Sequence, residues 1–81
     1  MPKSRPLSGK AVVKIFTQFG FNVHAQRGSH IKMRRVVDIH VQNITIPNHK
    51  EIDRGTLHAI IAQTSRFVPE QELRKYFFTE S

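Results

Sequence analysis

The hydrophobic period of the chain changes once, at Gly20-Phe21, and that change limits the folds open to it. Before it, Val12, Phe16 and Phe19 recur at i, i+4 and i+7, a helical stripe that Ser8 can cap and Gly20 can stop. After it, Phe21, Val23 and Ala25 alternate with Asn22, His24 and Gln26, which is how a strand with one covered face reads. Gly28 and Ser29 mark a tight turn. A second strand follows, with Ile31 and Met33 on one face and His30, Lys32 and Arg34 on the other. If the apolar sets share the core, His24 and His30 both project from the opposite, open face.

The stretch from Arg35 to Ile46 divides less simply. Val37, Ile39 and Val41 keep odd parity while Ile44 and Ile46 are even, so the register breaks somewhere. A turn or bulge near Gln42 and Asn43 would do it, and so would a turn near Val37 and Asp38. In both cases a third strand ends at Pro47, which has no amide to continue a ladder. Beyond a polar loop at Pro47 to Lys50, Asp53 can cap a helix whose stripe is Leu57, Ile60 and Ile61. Pro69 suits the first turn of a short last helix with Leu73 and Phe77 on one face. The order α-β-β-β-α-α predicts an α+β two-layer sandwich, a three-stranded antiparallel sheet with helices on one face.

With 81 residues the chain buries too small a core to divide. Residues 8–81 are therefore expected to form one domain, and residues 1–7, with two prolines and no period, a flexible start. The absence of cysteine removes disulfides, thiol nucleophiles and zinc ribbons. No apolar run is long enough for a membrane span, so the expectation is a soluble, cytoplasmic protein without a membrane partner. Charge is lopsided: residues 1–37 hold eight basic side chains and no acidic one, and residues 38–81 hold five basic and six acidic. Such asymmetry points to a polyanionic partner, nucleic acid or an acidic protein surface.

His24, His30, Lys32 and Arg34 on one open face make a workable surface for cutting RNA. Without a metal, that reaction needs a base for the 2′-hydroxyl proton, an acid for the leaving 5′-oxygen and positive charge for the phosphorane. Histidine can fill either proton-transfer role, and Arg27, Lys32, Arg34 and Arg35 are the side chains expected to bind phosphate. No metal site is expected, because the chain has no H-x-x-x-H or H-E-x-x-H and no carboxylate in its first 37 residues. Ser29 and His30 are adjacent strand residues that point to opposite faces, so Ser29 is read as a turn residue. His40 reads as a strand residue, His58 as an exposed helix position, and His49 is left open.

Four features in order resemble the HicA family of bacterial toxin ribonucleases, from about Leu7 to about Tyr76. They are Ser8-Gly9-Lys10 leading a helix that ends Phe19-Gly20-Phe21; Gln26-Arg27-Gly28-Ser29-His30 opening a strand; Ile46-Pro47 with His49 soon after; and Gly55-Thr56-Leu57 leading to Ile60-Ile61-Ala62-Gln63. The resemblance implies a fold like that of double-stranded-RNA-binding domains. It also implies cleavage of mRNA without metal or other cofactor, with His30 as the catalytic residue of the Gly28-Ser29-His30 motif. The second proton-transfer group is then expected to be His24 by its face, or else His49 by its place. A cognate antitoxin of the HicB type is the implied protein partner. Two positions depart from the family pattern: the stretch between His30 and Pro47 is a few residues longer and has no glycine turn, and Arg54 stands where proline is common. A non-catalytic RNA-binding module of the same fold, or a domain that only docks an acidic partner, are the alternative functions.

Overall fold

The chain enters its first helix at Ser8, whose hydroxyl accepts the Ala11 amide at 3.1 Å, in a computed structural model that describes residues 3–4 and 7–79, with side chains for 7–77. This helix, α1 (Gly9–Gln18), buries Val12, Ile15 and Phe16. Gly20, with φ of 92°, then reverses the chain, a conformation that costs a residue with a Cβ about 1–2 kcal/mol. Three strands follow, β2 (Asn22–Arg27), β3 (His30–Val37) and β4 (His40–Pro47), paired antiparallel in the order β2-β3-β4. Helices α2 (Arg54–Thr64) and α3 (Glu70–Phe77) complete the covering layer. The α+β architecture expected from the change of period is the one observed.

The N-terminal segment also pairs. A short strand, β1 (Lys3–Ser4), lies antiparallel to β5 (Phe78–Thr79), and Leu7 bridges to Ile52. Of the start expected to be flexible, positions 1, 2, 5 and 6 lie outside the described residues.

Between the layers, Phe16 meets Phe21 edge-on at 5.7 Å and Phe77 at 6.0 Å, and all three rings are fully buried. Ile31, Met33, Ile44 and Ile46 close the core from the sheet, and Leu57, Ile60, Ile61 and Leu73 from the helices. Burying each such side chain contributes about 1.5–3 kcal/mol. The one buried polar side chain among the described residues, Thr64, donates to the Ile60 carbonyl at 2.7 Å. Asp53 caps α2 by accepting the Thr56 amide and hydroxyl, and the hydroxyl bond above all holds its carboxyl below the ordinary value.

The register resolves the ambiguous stretch. β3 and β4 pair without interruption from His30↔Pro47 to Val37↔His40, so the parity break is the two-residue turn at Asp38 and Ile39 and not a bulge near Gln42. Asp38 takes φ of 56° there, a left-handed conformation that aspartate tolerates better than most residues, and so the hairpin closes without glycine. The bulge lies instead in β2, between Val23 and Ala25. Past it Ala25 faces with Lys32 and Gln26 with Ile31, which reverses the parity expected for those two residues, and Val23 is 54% exposed. An edge strand has one neighbour to hold its register, and β2 contributes little to the core once Phe21 is buried.

Candidate nucleic-acid interface

Strand register sets the open face of the sheet in rows. Arg27, His30 and Pro47 form the first row, Ala25, Lys32 and Thr45 the second, and Asn22, Arg34 and Asn43 the third. Val36 and Val41 form a fourth, beyond the end of β2. Successive rows are about 7 Å apart, two residues of strand rise. No row contains a carboxylate, and the ion pairs among the described residues, Arg74 with Glu70 and Lys75 with Glu72, both lie on α3. The positive field of this face is therefore not locally cancelled.

His30 opens β3 directly after the turn, where Gly28 has φ of 54° and Gln26 Nε2 donates to the Gly28 carbonyl at 3.4 Å. Its ring is exposed beside Arg27 on one neighbouring strand and Pro47 on the other. Ser29 contributes backbone here: its carbonyl accepts the Asn48 amide at 2.6 Å.

His24 occupies the bulge, and bulges commonly re-aim a side chain beside a functional face. Arg34 Nη2 lies 3.0 Å from His24 Nε2, and because a guanidinium only donates, that ring nitrogen is the acceptor. The pair lines a shallow cavity with Lys32, Asn43 and Thr45. This ring is thus drawn toward the third row, about 13 Å from His30 by strand rise. His24 and His30 share a face, as the alternation implies, without sharing a row.

Arg35 leaves the group of expected phosphate ligands. Its side chain turns to the covered face, donating from Nε to Gln42 Oε1 at 2.7 Å, from Nη1 to the Phe19 carbonyl at 2.9 Å and from Nη2 to the Phe67 carbonyl at 2.9 Å. Its guanidinium also lies over the Phe21 ring, 4.8 Å from the centroid. Those bonds tie the hairpin to the ends of α1 and α2 and direct the charge away from His30.

At the His30 end, the loop after β4 docks on the start of α1, and the Gly9 amide donates to the His49 carbonyl at 2.8 Å. A Cβ on Gly9 would stand 2.2 Å from the Pro47 oxygen and 2.8 Å from Asn48 Cα, so glycine is what admits the loop. Ser8, Lys10, Asn48, His49 and Lys50 line a second surface cavity at this junction. Lys10 and Lys50 were not among the side chains expected at the site; the signal for Lys10 was its place in Ser8-Gly9-Lys10, whose first two residues build the junction. His40 lies at the far end of the sheet, opposite Val37, and His58 is exposed on α2.

Among the described residues no three His, Asp or Glu side chains gather as metal ligands, and no helix is long and apolar enough to cross a membrane. No match was found among curated proteins or solved structures. Comparison with family models matches residues 9–65 to the HicA toxin of bacterial toxin-antitoxin systems. That span runs from the glycine that admits the loop, through the Gly28-Ser29-His30 turn and all three strands of the sheet, to the end of α2. It covers well over half of the residues, and the chain belongs to the HicA toxin family.

Proposed function

We propose that this toxin is an endoribonuclease that cleaves mRNA without a metal ion, with His30 as its catalytic residue and inhibition by a cognate antitoxin. The observation that carries the reading is an exposed histidine at the head of a face whose rows hold cations and no carboxylate. In the reaction, a base takes the proton of the 2′-hydroxyl, the 2′-oxygen attacks phosphorus, and the 5′-oxygen leaves with a proton supplied by an acid. Arg27, in the same row as His30, and Lys32, in the next, supply the positive charge that holds the phosphate as its charge grows in the transition state, a role that their rows support. Gly28 and Ser29 serve by shaping the turn that presents His30.

His24, bonded to Arg34, is assigned to the phosphate-binding part of the face. The second proton is assigned to His49, which follows Asn48, the donor to Ser29, and Pro47, the cross-strand neighbour of His30. Family membership implies the antitoxin partner, and an acidic surface suits the cationic rows.

The test is RNA cleavage by purified protein. His30→Ala is expected to fold normally, because the side chain is exposed, and to lose about 10²- to 10⁴-fold in rate. His49→Ala is expected to remove one limb of the pH–rate profile, and His24→Ala to keep both limbs while weakening RNA binding. Full cleavage by His30→Ala would refute the reading. Binding of RNA with a steep salt dependence, but no cleavage by the unaltered chain, would favour the non-catalytic module.

A further inference from the structure

The cationic rows of the open face give way at one end to a hairpin tip of exposed aliphatic side chains around a single carboxylate, Asp38 in the turn. β3 and β4 overhang β2 by the segments Arg35–Val37 and His40–Gln42. On this overhang Val36 and Val41 stand side by side, 59% and 54% exposed, and Ile39 in the turn is 89% exposed. Val37, on the other side of the hairpin, is 41% exposed. Exposed aliphatic residues grouped beside a charged face mark a contact surface more often than scattered ones do.

We infer that this tip is the anchor for the antitoxin, seated through an apolar patch whose carboxylate rim extends over Arg34 and Lys32. The inference rests on the reading of the open face as the RNA-cutting surface. Three properties select this occupant. RNA gains little from valine and isoleucine, which offer neither hydrogen bonds to phosphate nor a ring on which bases stack. A second copy, with a net charge of +7, would bring its own cationic rows toward these. A partner with an apolar centre and an acidic rim instead matches both the tip and the two rows beside it. From Val36 to His30 is six residues, about 20 Å. A standard interface of about 800 Å² per partner is roughly 30 Å across, so one protein centred on the tip reaches about 15 Å along the face, over Arg34 and Lys32 and up to the edge of the His30 row.

The experiment uses the full chain and the candidate antitoxin sought in the reading frames that flank its gene, with affinity measured by calorimetry on a His30→Ala background so that binding is read independently of cleavage. Val36→Thr, Ile39→Thr and Val41→Thr are combined, since threonine keeps the branched shape that strands favour. The expected result is affinity weakened at least about 30-fold, the effect of losing a hot spot. In the chain that keeps His30, the same three changes are expected to leave RNA cleavage within about twofold, the effect of losing surface side chains that touch no phosphate. Unchanged affinity, or no binding of the antitoxin by the unaltered tip, would overturn the inference. So would a fall in RNA cleavage, which would assign the tip to RNA, or a dimer in sedimentation that the changes dissolve, which would assign it to a second copy.

Discussion

Replacing Gly9 by alanine isolates the junction on which the His30 end of the sheet depends. The added Cβ would meet the Pro47 oxygen at 2.2 Å and Asn48 Cα at 2.8 Å, both backbone, so relief requires moving the loop and not a side chain. Overpacking of this kind costs about 1–3 kcal/mol. Displacing the loop also strains the bonds from Gly9 to His49 and from Asn48 to Ser29, at 2.8 and 2.6 Å, each worth about 0.5–1.5 kcal/mol. Alanine returns up to about 1 kcal/mol as a better helix former. The net loss is about 3 kcal/mol, which in a domain of this size lowers Tm by roughly 12–24 °C. Gly28→Ala is the control: its Cβ would meet nothing within 4 Å, and only the φ of 54° resists it, at about 1–2 kcal/mol. Thermal and urea unfolding of both variants make the measurement. If Gly9→Ala proves as stable as the parent, or milder than Gly28→Ala, the close approach does not govern this junction.

Arg35→Met is expected to destabilise the fold by about 2–4 kcal/mol, because it leaves the Phe19 and Phe67 carbonyls without a charged donor, and Arg35→Lys to recover only part of that loss. Equal stability of the three proteins in urea would count against the clamp. Lys32→Ala and Arg34→Ala are expected to change stability by less than about 0.5 kcal/mol. Each should also flatten the slope of log affinity for single-stranded RNA against log salt by about 0.7; an unchanged slope would remove that side chain from the phosphate path. Asp53→Asn keeps the cap but not the charge. A carboxylate whose native pKa lies below 3.8 contributes stability that is complete above that value and fades as pH falls through the native one. The gap in Tm between parent and variant is therefore expected to close below about pH 3.8, and parallel curves would contradict it.

Much of this arrangement was legible in alternation. Ile31 and Met33 inward, His30, Lys32 and Arg34 outward, and the Asp53 cap all follow from periods and end signals that act locally. Arg35 was legible too: it shares parity with Ile31 and Met33, and only its place in a run of basic residues suggested a phosphate. The bulge at His24 was not, because nothing local in Val23-His24-Ala25 marks an extra residue, and pairing with β3 decides it. The turn near Asp38 was legible only as one of two alternatives, because a β-hairpin usually announces itself by glycine and this one closes without it. Lys50 was hidden for a third reason: the cavity joins the start of α1 at Ser8 and Lys10 to the mid-chain loop at Asn48 to Lys50, and only the docked loop brings them together.

The Arg35 clamp also orders events in time. Its two carbonyl partners lie 16 and 32 residues away in sequence, so its bonds cannot form until the hairpin and both helices have met. Formation of the clamp is accordingly expected to be a late folding step. In the native state the same bonds are expected to make the overhanging end of the sheet and the C-terminus of α1 open together. Hydrogen exchange would find the amides of Arg35 and Gln42, a hydrogen-bonded pair of the hairpin, protected in one cooperative unit with those of Phe19 and Gly20, while the turn at Gly28 exchanges on its own schedule.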